Sequence, residues 1–288
     1  MKFSKIIVVA IFLHICNLSA FKFTFDPIDV VIPCHKKDLT TLNLVIDGAR
    51  KNVKNVRRII VVSESKLTDQ AEWFDESQFP FTKQSIAHEI FADQPKKAEQ
   101  LIRQKLTKKI QGVGWIFQQF LKLYSIFVIP DISNNVLIID ADTIFMKPIS
   151  FQDPVTGAGL YNPSTEMHEP YFTHLKRVWP SFRKVLPQYS GISHHMLFQR
   201  SVMEQLFIEL KAANANEEPW KVFCHKIDLN WLGHSCMCVE YELYFNFVFA
   251  KSSDVQIRRL NWKNIPFRFF KKFKNSKYHY LSCHTYLN

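Results

Sequence analysis

The sequence predicts an α/β protein, a mixed and mostly parallel sheet flanked by helices, and three stretches carry that prediction. Residues 29–33 (Asp-Val-Val-Ile-Pro) and 57–63 (Arg-Arg-Ile-Ile-Val-Val-Ser) are β-branched runs of the kind that form buried strands. Between them Leu42, Val45, Ile46 and Ala49 recur at helical spacing, which makes residues 29–63 a βαβ unit. The third stretch, residues 136–145, is a buried strand that runs straight into Asp140-Ala141-Asp142. Residues i and i+2 of an extended chain share a face, so both carboxylates can point into one cleft. That cleft lies at the strand's C-terminal end, where open α/β sheets bind ligands. Two clustered carboxylates repel and want a cation, and hard oxygen ligands select Mg2+ or Mn2+, which in turn can hold a phosphate. By itself an Asp-x-Asp sequence has an equally ordinary reading, two acids finishing a strand in a turn.

The remaining elements follow in order. Residues 64–94 read as irregular, and residues 95–110 as a strongly basic helix. A second helix covers residues 114–128, its apolar positions packing on the sheet while Gln118, Gln119 and Lys122 form one polar edge. Residues 157–162 predict a strand or a close backbone approach, and 169–186 a basic, aromatic helix. Residues 190–198 form a strand carrying His194 and His195, of which at most one can face any given cleft. Ser201 and Glu204 have the spacing of a capping box opening a helix to about residue 213. Residues 240–249 read as a buried helix with Glu240 and Glu242 at its head, where acids suit the macrodipole. A tail over residues 258–277 alternates basic and aromatic residues.

Composition narrows the function. At 288 residues, 47% hydrophobic and 14% aromatic, the chain is globular, and only 7 glycines leave no Walker or Rossmann loop. A net charge of +11 points to anionic partners such as phosphates, nucleotides or a lipid surface, while no nucleic-acid motif accompanies it. Met1 to Ala20, a short basic start and an apolar core of about ten residues ending in small residues, reads as a signal peptide or signal-anchor. The alternative is a buried first strand or helix. Six cysteines stand at residues 16, 34, 224, 236, 238 and 283 in no regular framework. Their neighbours His225, His234 and His284 lack the usual Cys-x2-Cys spacing of a zinc site, so one or two disulfides or buried thiols is the better expectation.

Together these motifs resemble the DUF6492 group of GT-A-type glycosyltransferases. The matching pieces are residues 29–33 with Asp38, 59–63, Trp115 with Gln118, Gln119 and 122–124, 137–142, 190–198, 240–244 and His284. They span residues 26 to 286, and the chain departs from the pattern at residues 236–239. The resemblance implies one GT-A-like domain over 26–288, a donor-nucleotide half (26–148) followed by an acceptor half (149–288). It implies a nucleotide-sugar donor, such as a uridine diphosphate sugar, and a glycan, lipid or protein acceptor. Pro33 and Asp38 would receive base and ribose, Asp140 and Asp142 would bind Mn2+ or Mg2+, and His284 would be a third ligand. Lys122 would contact phosphate, Glu240 or Glu242 would assist the acceptor hydroxyl, and His194 and His195 would line the acceptor pocket. The basic-aromatic tail would suit a membrane surface. With a signal or anchor such an enzyme belongs in the secretory lumen or on a membrane; with a buried first strand, in the cytoplasm.

Two other functions share parts of the pattern. Haloacid-dehalogenase-like phosphatases use the first aspartate of such a motif as nucleophile, which would be Asp140. Their motif normally sits on the first strand and is followed by a paired-aspartate metal site; here it starts at residue 140 and no Asp-Asp pair follows. A non-catalytic sugar-binding domain would keep the fold without turnover.

Overall fold

Burial on both faces sets the middle of the sheet. Strand β1 (Ile28–Pro33) is buried at all six positions, helix α1 (Leu39–Asn52) follows, and β2 (Val56–Ser63) returns parallel to β1 with Val30 opposite Ile59 and Ile32 opposite Val61. This is the βαβ unit that the spacing predicts. The computed structural model describes residues 21–92, 94–103, 112–231, 240–273, 276–284 and 287. The expected signal peptide or anchor at residues 1–20 lies outside them.

Residues 64–94 are more ordered than their sequence implies. They hold an edge strand, β3 (Glu72–Asp75), parallel to β2, and a helix, α2 (Lys83–Phe91). The edge strand is only half-buried and so carries no apolar alternation. Helix α2 opens on a reciprocal cap, Thr82 Oγ1 accepting from the Ser85 amide at 3.0 Å and Ser85 Oγ from the Thr82 amide at 2.8 Å. Of the basic helix expected over 95–110, α3 (Pro95–Arg103) is described. Helix α4 (Val113–Val128) then leads to β4 (Asn135–Ile139), buried at every position, and to β5 (Thr143–Phe145) beyond the two aspartates.

The second half supplies β6 (Leu160–Tyr161), α5 (Glu169–Val178), β7 (His195–Gln199), α6 (Arg200–Ala213) and α7 (Pro219–His225). It continues with α8 (Glu240–Lys251), β8 (Gln256–Ile257), β9 (Trp262–Asn264), α9 (Phe270–Phe273) and β10 (Tyr280–Ser282). Helix α5 stops well short of residue 186 because Trp179 is extended ahead of Pro180, as residues before proline prefer. The capping box expected at Ser201 does not form. Strand β7 runs directly into α6 with Gln199 as its N-cap, and the Ser201 hydroxyl instead donates to the Lys22 carbonyl at 3.1 Å.

The main sheet has the order β3-β2-β1-β4-β7, parallel except for β7, which pairs antiparallel with β4. From β1 the chain steps outward through β2 and β3, then crosses back to place β4 on the other side. The switch point therefore lies between β1 and β4, and their C-terminal ends share one rim. At the opposite rim Asp29, fully buried, accepts from Arg57 at 2.9 and 2.5 Å and from the Ser133 amide at 2.9 Å, joining β1, β2 and the approach to β4. A second sheet, β5-β10-β9, rests on the site end of the molecule. Helix α1 presses so closely on β5 that a Cβ at Gly48 would stand 2.8 Å from the Phe145 carbonyl oxygen.

Candidate active site

Strand β4 delivers Asp140 and Asp142 to the rim, but the two carboxylates are held by different parts of the chain. Asp140 accepts from Lys122 Nζ at 2.7 Å and from the Tyr241 hydroxyl at 3.4 Å. The same ammonium donates to Glu240 Oε1 at 2.7 Å and lies 4.3 Å from the centre of the Tyr241 ring. The Gln119 carboxamide, with its nitrogen turned inward, also donates to Glu240. Gln119 and Lys122 are three residues apart on α4 and so share a face, at 1% and 3% exposure. The polar edge read from the sequence thus exists for these two, but it is buried against α8 rather than left to solvent. Burial alone would depress the Lys122 ammonium; Asp140 and Glu240 lift it above the ordinary lysine value. Burial raises both acids, with Lys122 opposing.

Asp142 belongs to the second group. Strand β10 pairs antiparallel with β5, Ser282 opposite Thr143, so the chain leaving β10 runs alongside Asp142, and the Cys283 amide donates to the Asp142 carbonyl at 2.9 Å. That register brings His284 Nδ1 within 2.8 Å of Asp142 Oδ2, while the Ser282 hydroxyl donates to Oδ1 at 3.2 Å. His284 Nε2 faces Ser282 Oγ and His194 Nε2, each at 3.3 Å. Burial would raise Asp142, but His284 and Ser282 bring it below the usual carboxylate range. Burial would likewise lower His284, and Asp142 lifts it. His194 is pushed down to about 3 by burial, with the adjacent His284 adding to the effect, so it stands neutral. Trp262 of β9 lies 4.8 Å from its ring, and the Tyr280 hydroxyl 3.4 Å from its Nδ1.

Asp38, at the N-cap of α1 just beyond β1, completes the rim. Its carboxyl is raised to about 6, chiefly by burial, with Lys37 opposing and Asp142 and Asp140 adding to it. The loop after β1 is tied to the aspartate turn, since Thr41 Oγ1 donates to the Ala141 carbonyl at 2.8 Å. Pro33 is the last residue of β1, directly below that loop.

Two of the residues expected at the site stand elsewhere. His195 alternates to the other face of β7, among Phe145, Phe151 and Tyr280, with ring centres 5.0 to 5.3 Å apart; burial holds it well below the ordinary histidine value. Glu242, fully buried, spends one oxygen on the Gly191 amide and the other on Asn246 Nδ2 at 2.7 Å. It pins the loop before β7 to α8 and is not joined to the Asp140 group. Glu240 is at the site but engaged by Lys122, which in turn is occupied by carboxylates. Tyr241 and Ser282 join the site without having been anticipated. The signal for Ser282 was its i+2 spacing to His284, and for Tyr241 its place beside Glu240. Cys34, Cys224 and Cys283 are buried free thiols, the second of the two alternatives expected for the cysteines; Cys16, Cys236 and Cys238 lie outside the described residues, as does His234.

Among the described residues no three His, Cys, Asp or Glu side chains form a ready-made metal cage. What the rim offers is the Asp142–His284 pair, whose ligand atoms are 2.8 Å apart. Two ligands on one Mg2+ or Mn2+ at octahedral distances are separated by about 3 Å, and Mg2+ commonly takes its other ligands from water and substrate phosphate. As it stands the contact is a hydrogen bond between the two side chains, and an ion would take the place of the proton that they share.

Over residues 24–264 the chain matches the sequence profile of DUF6492, described as a family of unknown function. No curated protein matches it. Among solved structures it is similar to mouse xyloside xylosyltransferase 1 in its apo form, at 12% identity and a TM-score of 0.41, over 91% of this chain and 99% of that one.

Proposed function

This chain belongs to the DUF6492 family, whose activity is unassigned, and from the site itself we propose that it is a glycosyltransferase using a nucleotide-diphosphate sugar, with uridine diphosphate sugars the first donors to test. One observation carries the reading: Asp142 and His284, 142 residues apart in sequence, meet at 2.8 Å on the rim where the sheet switches direction. A parallel sheet presents this rim to ligands, and the Asp38 loop beside it suits the base and ribose.

Asp142 and His284 would hold the divalent ion. When bound, that ion offsets the negative charge that develops on the leaving diphosphate. The protein's own groups do the remaining work. Lys122 and Tyr241 both hold Asp140 through Oδ1, which would leave Oδ2 to accept from a hydroxyl. Glu240 holds Lys122 in register rather than acting as the base, because its carboxylate is committed to Lys122 and Gln119. Neutral His194 backs His284 and leaves its orientation to Asp142. A sugar, lipid or protein hydroxyl would attack from the side where Trp262, partly exposed, lies beside His194.

The test is hydrolysis and transfer across a panel of nucleotide sugars with and without Mn2+, comparing wild type with Asp142→Ala, alongside thermal shift with uridine diphosphate. Support is a Mn2+-dependent shift and turnover that the variant loses while staying folded. Full turnover by the variant would sink the proposal, and so would hydrolysis of p-nitrophenyl phosphate in place of nucleotide sugars.

A further inference from the structure

We infer that the face made by Lys263, Arg268, Phe269, Lys271, Lys272 and Lys277, around the connection from β9 to β10, is a docking surface for an anionic lipid bilayer. From Val255 to Asn288 the chain holds eight Lys and Arg residues and no Asp or Glu, so this region carries most of the excess of 11 positive charges. Lys263, Arg268, Lys271, Lys272 and Lys277 are all exposed, and among the described residues none is ion-paired with a carboxylate. Aromatics interleave with them. Phe267, Phe270 and Phe273 lean on the core, whereas Phe269 does not, standing half-exposed with Arg268 4.9 Å and Lys272 5.1 Å from its ring centre. Lys263 likewise lies over Phe273 at 5.2 Å.

A solvated basic face needs no phenyl rings between its cations. A bilayer surface uses both: lysine and arginine meet anionic headgroups, and a phenyl ring enters the boundary beneath them. The arrangement favours lipid over a sulfated polymer, which would take the charge and make no use of Phe269 between Arg268 and Lys272. Position adds a consequence. The segment leaves the small sheet at the end nearest His284, the Ile265 amide donating to the Ser282 carbonyl at 2.9 Å. A bilayer held here would lie beside the Asp142–His284 rim. The inference concerns binding alone and stands or falls apart from the proposed transfer reaction.

Co-sedimentation of the full chain with phosphatidylcholine vesicles, with and without phosphatidylserine, tests it at low and high salt. Binding is expected to be at least tenfold tighter with phosphatidylserine, to weaken with salt, and to fall at least tenfold in K271E/K272E and severalfold in F269S. Unchanged thermal unfolding shows that the variants are folded. Binding that does not distinguish the two vesicles, or that both variants retain, overturns the inference. So does capture by heparin that F269S leaves intact while vesicles are not bound, which would assign the face to an anionic polymer.

Discussion

Lys122→Met tests the centre of the site. Lys122 is 3% exposed and faces two carboxylates at 2.7 Å. Methionine keeps the volume and removes the charge, leaving Glu240, at 2% side-chain exposure, without its cation. Breaking a buried pair from one side costs about 3–5 kcal/mol. Asp140 still has 24% of its side chain in solvent, so its share is discounted and the expected loss at pH 8 is about 3–4 kcal/mol. Each kcal/mol moves Tm by about 2–4 °C in a domain of this size, so the variant melts roughly 10 °C lower. The loss depends on pH with a definite sign. In the variant both acids bind protons more tightly folded than unfolded, so stability falls as pH climbs from the ordinary carboxylate value through the raised one. Denaturant unfolding at pH 5 therefore shows a smaller deficit than at pH 8, and adding Glu240→Gln recovers part of the loss at pH 8. A deficit under about 1 kcal/mol, or one that is flat with pH, would refute this account of the cluster.

Three other outcomes are expected, the first of them resting on the proposed function. Asp142→Asn and His284→Ala should each reduce metal-dependent turnover by about 100-fold or more, and calorimetry should show weakened Mn2+-dependent binding of uridine diphosphate. Asp38, raised to about 6, is a group whose favourable contribution is present below the unfolded carboxylate value and is lost as pH rises through 6. In EDTA, Asp38→Asn should therefore leave stability near pH 4 unchanged and add about 1–3 kcal/mol at pH 8. At Gly191 a Cβ would stand 2.5 Å from Phe245 Cβ and 2.6 Å from the Tyr241 carbonyl oxygen. Gly191→Ala should destabilise by about 1–3 kcal/mol in denaturant melts, because the loop that Glu242 holds must move.

The parts of the fold that were legible are those buried on both faces. β1, β2 and β4 read as short apolar runs because both faces of the sheet's middle are covered, polar exceptions such as Asp29 and Asn135 being hydrogen-bonded at strand starts, and α1 shows its period because one side meets solvent. Strand β3 and helix α2 were not legible. An edge strand reading Glu-Trp-Phe-Asp has no alternation, and the Thr82–Ser85 cap is a weak signal in polar sequence. Within the site, the local relation between Asp140 and Asp142 was readable, but not that Lys122 claims one and His284 the other. Such partners depend on helix packing and on strand register across more than a hundred residues. The buried pair Gln119 and Lys122 did leave a trace, two polar residues on the otherwise apolar face of α4. Reading adjacent histidines on a strand as facing opposite ways was enough to separate His194 from His195, though not to say which one reached the rim.

The pairing of β10 with β5 also sets the point in synthesis at which the rim can be completed. The five-stranded sheet is complete once Gln199 has emerged from the ribosome, yet Asp142 waits for a histidine 142 residues further along. A nascent or prematurely terminated chain ending before Tyr280 would thus display a finished sheet with Asp142 lacking its histidine, and under the proposed function would not turn over nucleotide sugars.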